Sequence, residues 1–259
     1  MQAMQAPGTG SLTVHRDGNV LTLQLSNAGR ANALDLSMLS ALDAHIAAVE
    51  ADTSIRAVVL RGTPGGTFSS GADVRQWGPM SPDEFARDWI DYGNAIFRRF
   101  ESLRCPTVAA IEGICFGGGL ELVLCADLRV ATSSARFRFP EAGIGAIPGW
   151  EGGPRLARVV GRGRALEAVL TTIEIDAARA LDWGLVNRCC IPEAFEPDLT
   201  ALVQRLASVS PCAAALAKAA ILHEGDSAAF HQQAAAAVKA SPDAQIGLNA
   251  FASRTTAIF

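Results

Sequence analysis

Two glutamates and two glycine-rich loops carry the chemistry that can be read from this chain. Glu121 stands two residues past the triplet Gly117-Gly118-Gly119 in GICFGGGLEL, and Glu141 lies 20 residues further on in FRFPEAG. Apolar residues surround Glu121 in LELVLCA, so its carboxyl must be paired or have a raised pKa. The glycine triplet follows a strand-like run and precedes a helical one. Such a junction exposes the unpaired N–H groups of a helix N-terminus. A second loop of this kind, FSSGAD, ends at Asp73. Two loops of this character can aim two backbone N–H groups at one developing oxyanion, the parts that thioester enolate chemistry needs. Seen alone, a glutamate in an apolar run is more often a satisfied structural acid than a catalyst.

The elements that must position these residues alternate between strands and helices. LTVHR and VLTLQL flank Asp17-Gly18-Asn19 and predict a hairpin. Leu36, Leu39, Leu42, Ile46 and Val49 recur at helical spacing, with Asp35 as the expected N-cap. RAVVLR (56–61) and TVAAI (107–111) read as buried strands, and 83–103 reads as one helix after Ser81-Pro82. Residues 113–119 are expected to form a loop, 120–126 a short helix, 128–132 and 136–139 strands, and 176–183 a helix. A loop opens into a further helix near Arg155. From about residue 193 the chain is Ala-rich and helical. This alternation predicts an α/β fold with an appended helical region. The expected division is 1–192 and 193–259.

Composition and motifs exclude several classes. The 259 residues are 49% hydrophobic and 19% charged, which rules out a disordered chain. A net charge of −4, with Lys218 and Lys239 the only lysines, argues against nucleic acid as a partner. The six cysteines show no CxxC spacing, the four histidines are scattered and HExxH is absent, so no metal site is expected. The glycine triplet is neither a Walker A loop nor GxGxxG, since Leu122 takes the place of the third glycine. Thr67 and Phe68, two residues before Ser69 and Ser70, rule out a GxSxG elbow. MQAMQAPGTG does not read as a secretory signal, and no apolar run reaches membrane-spanning length. The expectation is a protein of the cytoplasm with no membrane partner.

FSSGADV, AAIEGICFGGGLELVLCADLRVA and FRFPEAGIGAIPG, in this order and spacing, resemble the enoyl-CoA hydratase/isomerase (crotonase) superfamily. AARALDWGLVNR, SPCAAALAKAA and AQIGLNAFASR continue the resemblance toward the C-terminus. The resemblance implies a spiral of ββα units with a helical trimerisation region, a homotrimer or homohexamer, and acyl-CoA thioester substrates. Coenzyme A belongs to the substrate, and no separate cofactor is implied. Carried onto this chain, the oxyanion donors are the N–H groups of Ala72 and Gly118. Two-glutamate hydratases match at Glu121 and Glu141, whereas isomerases typically keep only the second. The resemblance assigns Glu121 as the base for water, Glu141 as the proton donor to Cα, and Gly149 to water positioning. Arg30, Ala31 and Asp73 fall in segments that meet coenzyme A in relatives. Phe251 and Arg254 match groups that reach it from a neighbouring subunit.

One stretch departs from the pattern. Where hydratases usually read IPGAGGTQRL, this chain reads IPGWEGGPRL. Trp150 would either wall off the acyl pocket or simply pack, and Glu151 would be either a third acid or a charge at a helix N-terminus. The alternatives left open are an enoyl-CoA isomerase using Glu141 alone, an acyl-CoA hydrolase or lyase, and a non-catalytic CoA- or RNA-binding protein.

Overall fold

The computed structural model describes residues 10–259. Strands β1 (Ser11–Asp17) and β2 (Val20–Ser26) form the hairpin, Asp17 pairing with Val20 across a turn in which Gly18 has φ +55°. Helix α1 (Leu36–Ala51) starts at Asp35, whose side chain accepts the Met38 N–H at 2.8 Å. There follow β3 (Ala57–Arg61), the single turns α2 (Val74–Trp77) and α3 (Pro82–Glu84), and α4 (Tyr92–Glu101). Between α3 and α4, Phe85–Asp91 is a π-helix, so the expected helix over 83–103 is continuous but carries a wide turn.

The central part of the chain passes back and forth between two sheets. Its elements are β4 (Thr107–Ile111), β5 (Ile114–Phe116), α5 (Gly118–Val123), β6 (Leu128–Thr132) and β7 (Arg136–Arg138). A 3-10 turn (Glu141–Ile144), α6 (Gly152–Val160), α7 (Arg162–Thr171), β8 (Ile175–Asp176), α8 (Ala177–Asp182) and β9 (Arg188–Cys190) follow. The larger sheet has the order β1-β2-β3-β4-β6-β9, parallel from β2 onward, and the smaller has the order β5-β7-β8. Part of the loop expected at 113–119 is therefore β5, and α5 begins at Gly118.

Four helices close the chain: α9 (Pro192–Ser208), α10 (Pro211–Leu222), α11 (Ser227–Ala240) and α12 (Pro242–Ser253). Apart from Arg61 at the end of β3 and Thr107 at the start of β4, the runs AVVLR and TVAAI are apolar because both faces of the sheet are covered. Val58, Leu60, Ala109 and Ile111 face the main core with α1 and α4. Ala57, Val59, Val108 and Ala110 face Phe195, Leu199, Leu202 and Val203 of α9. Helix α10 is tied to the core by Lys218, whose Nζ lies 2.9 Å from the Asp127 carboxylate. Among the described residues no single helix is long and apolar enough to cross a membrane; α9 and α10 reach that measure only together, across a bend of 102°.

Candidate active site

The N-terminus of α5 is the centre of the site. Gly117 precedes it with φ +47° and ψ −126°, a conformation glycine tolerates and L side chains rarely adopt. This lets the backbone enter the helix directly from β5. Gly118 is the first helical residue, so its N–H has no intrahelical acceptor. Glu121 is three residues later and shares a helix face with Gly118.

The second loop arrives alongside. Leu34 N–H donates to the Gly71 carbonyl and Asp73 N–H donates to the Leu34 carbonyl, both at 2.8 Å. This parallel bridge turns the intervening Ala72 N–H away from Leu34. Among the described residues neither the Ala72 nor the Gly118 N–H is engaged by an acceptor. Gly71, at φ +113°, permits the approach: a Cβ there would lie 3.5 Å from the Gly118 nitrogen. Two unengaged amides, one in the FSSGAD loop and one at the start of α5, thus lie side by side.

Glu121 is buried, 3% exposed. Its Oε1 accepts the Trp150 N–H at 2.8 Å and the Gly152 N–H at 2.9 Å. Glu151 between them is left-handed at φ 62°, and this alternation folds the loop into an N–H-lined cup for an anion. Burial dominates nonetheless and pushes the Glu121 carboxyl up to about 8; the Gly152 N–H opposes that rise and the Glu141 charge adds to it. Glu141 begins the 3-10 turn after β7, and burial raises it to about 7. Its Oε1 lies against Gly117, where a Cβ would come within 2.7 Å, and its buried Oε2 has no partner among the described residues. Two coupled carboxyls with raised values hold one proton between them near neutral pH.

The two departures from the family pattern resolve differently. Glu151 is no third acid at the reaction centre: its carboxylate pairs with Arg98 and lies 3.3 Å from Arg155, and these cations hold it below the usual carboxylate range. It does sit at the N-terminus of α6, without capping it through its side chain. Trp150 is 1% exposed and lies directly behind the site. Arg155 donates to the Trp150 carbonyl at 2.7 Å and to Glu101 at 3.0 Å, which fixes the loop from beneath. Sequence reasoning did not single out Arg155 or Asn94, whose Nδ2 donates to the Gly149 carbonyl at 3.3 Å. Nor did it single out Gly93; a glycine inside a helical run was the available signal there.

The remaining candidates divide into two groups. Arg30, Ala31 and Asp73 come together beside Ala72: Arg30 forms an ion pair with Asp73, and the Ala31 carbonyl accepts the Ser70 N–H at 2.9 Å. Asp73 is buried and also caps α2. The Gly149 N–H donates to no acceptor among the described residues and precedes the loop that holds Glu121. Phe251 and Arg254 are elsewhere within one chain, at the end of α12, which packs on α10 and α11. Among the described residues no group of three or more His, Cys, Asp or Glu side chains is placed to hold a metal ion.

The chain is similar to known proteins over most of its length. A family profile described as "Enoyl-CoA hydratase/isomerase" matches residues 15–258. A short-chain-enoyl-CoA hydratase of Clostridium acetobutylicum is 35% identical over 82% of this chain and 80% of its own length. A crotonyl-CoA hydratase of Syntrophomonas wolfei is 33% identical over 81% of this chain and 80% of its own. The crystal structure of an enoyl-CoA hydratase from Bacillus anthracis superposes with a TM-score of 0.90 at 30% identity, covering 96% of this chain and 98% of that one. With its α/β spiral and nearly its whole length matched, the chain belongs to the enoyl-CoA hydratase/isomerase family.

Proposed function

We propose that this protein reversibly adds water across the double bond of a 2-enoyl-CoA thioester. The observation that carries the reading is the meeting of both glutamates and two unengaged amides at the start of α5. Attack of water at Cβ moves charge onto the thioester oxygen. The Ala72 and Gly118 N–H groups stabilise that charge, and losing one such donor costs about 3–4 kcal/mol of barrier. Glu121 takes the proton of the water held against the Gly149 N–H, and Glu141 delivers a proton to Cα.

Hydration in this assignment needs Glu121 ionised and Glu141 neutral; dehydration needs the reverse. Burial raises both carboxyls, so neither is locked in its ionised form near neutral pH and either can carry the proton.

Arg30, Ala31 and Asp73 are proposed to meet the coenzyme A portion. Phe251 and Arg254 are proposed to reach it from a neighbouring copy in a homotrimer or homohexamer built by the helical region 193–259. Exposed Ile221, Phe251 and Ile258 in that region, each more than 80% accessible, form apolar surface of the kind that associates. The proposed setting is the cytoplasm, with neither membrane nor nucleic acid as partner and no cofactor beyond the substrate's own coenzyme A. The test is loss of conjugated absorbance on 2-enoyl-CoA esters, with 3-enoyl-CoA esters alongside. Turnover of the 2-enoyl series to 3-hydroxyacyl products supports the reading. Turnover of the 3-enoyl series alone refutes it in favour of an isomerase.

A further inference from the structure

The indole of Trp150 fills a slot between two glycines. A Cβ added to Gly93 of α4 would collide with the Trp150 Nε1, and one added to Gly118 would lie 2.6 Å from Cζ3. That same point beside Gly118 is only 3.2 Å from the Ala72 nitrogen, so the ring edge borders the proposed oxyanion site. The ring cannot swing away. Its Nε1 donates to the Trp89 carbonyl at 3.1 Å, Trp89 stacks on it at 5.4 Å, and Phe97 tilts against it at 5.1 Å. Trp89 belongs to the π-helix, whose wide turn brings Trp89 and Ile90 onto the segment Gly149-Trp150.

We propose that Trp150 is the floor of the acyl pocket and confines the site to 2-enoyl groups with few carbons beyond the double bond. The inference rests on the hydratase reading above. With the thioester oxygen on Ala72 and Gly118 and Glu121 facing Cβ, the atoms after Cβ point toward the segment that supplies the Trp150 N–H to Glu121. The inward path beyond that point is the slot that the indole occupies: the ring is 1% exposed, and its Cζ3 lies 2.6 Å from where a Cβ on Gly118 would stand. Removing the ring opens an apolar cavity walled by Trp89, Phe97, Gly93 and Gly118. One methylene in such a pocket changes kcat/KM roughly 10- to 200-fold.

The experiment measures kcat/KM for 2-enoyl-CoA esters of increasing chain length with the full-length protein and with Trp150→Ala and Trp150→Phe. The expected result is a steep fall with chain length in the wild type. Trp150→Ala raises the ratio of the eight-carbon to the four-carbon ester by about tenfold or more, with Trp150→Phe intermediate. Added indole refills the cavity of the Ala variant and lowers that ratio again. An unchanged ratio in a folded Ala variant overturns the proposal, as does a wild type that hydrates long and short esters equally. If the Ala variant does not fold, the Phe variant decides by the same ratio. Calorimetric binding of saturated acyl-CoA esters of the same lengths reads pocket depth without turnover. A wild type that hydrates no ester but binds short chains selectively, with selectivity lost in the variants, refutes the hydratase reading while keeping the pocket floor. Binding insensitive to chain length and to Trp150 overturns the floor itself.

Discussion

Replacing Glu121 by glutamine isolates the proton transfer from the architecture that holds it. The glutamine carbonyl oxygen can still accept the Trp150 and Gly152 N–H groups, which now donate to Oε1 at 2.8 and 2.9 Å. The loop 150–152 and the amides at Ala72 and Gly118 therefore stay in place. What disappears is the base, and general acid–base groups of this kind contribute about 10²–10⁴ in rate. That range corresponds to about 3–5.5 kcal/mol of barrier. The pH profile adds a second reading. In the wild type, two carboxyls raised to about 8 and about 7 must share one proton, so activity peaks between those values and declines on both sides. Below the window both are neutral and no base remains; above it both are ionised and no acid remains. In Glu121→Gln only Glu141 titrates, so the acid limb vanishes and the residual rate declines only on the alkaline side. The assay is the initial rate of conjugation loss on a short 2-enoyl-CoA from pH 5.5 to 9.5. A variant within threefold of wild-type rate, or one retaining both limbs, would refute the two-carboxylate mechanism.

Further outcomes follow from the same geometry. Gly117→Ala forces a Cβ to 2.7 Å from the Glu141 Oε1 at φ +47°, and should lower kcat at least tenfold and stability by about 1–3 kcal/mol in chemical denaturation. Stability should also depend on pH through Glu121: a folded pKa raised from 4.5 to about 8 favours the fold at low pH, and that advantage is lost as pH climbs through 8. Thermal melts at pH 6 and pH 9 should therefore differ more for wild type than for Glu121→Gln; equal differences would contradict the buried-acid account. Phe251→Asp, at a side chain 84% exposed, should shift the mass seen by light scattering toward monomer if α12 meets a neighbouring copy. An unchanged mass would place the interface elsewhere. Arg254→Ala should raise KM for acyl-CoA without lowering kcat, as expected of a group that binds the substrate far from its reacting atoms.

The elements that local rules govern were legible in the residues. The hairpin at Gly18-Asn19, the Asp35 cap and the largely apolar strands AVVLR and TVAAI follow from turn chemistry, capping and hydrophobic period. The strands β5, β8 and β9 and the helix α7 were not: β5 lies in a run that reads as a glycine loop, β8 and β9 are only two and three residues long, and α7 continues from α6 across Gly161. Glu121 could be nominated from one carboxyl in an apolar run, and Glu141 from the resemblance. The resemblance then named Ala72 and Gly118.

The chain's order of residues by itself determined which side chains could do chemistry here and that the two glycine-rich loops beside them would follow strands. It did not decide their company. That Glu121 rests in the N–H cup of residues 150–152, that Glu151 is drawn off by Arg98 and Arg155, and that Trp150 is wedged between Gly93 and Gly118 were decided only by the tertiary structure. The reason is physical: proton affinity and pocket depth depend on burial and on neighbours dozens of residues away, and no local pattern encodes those distances.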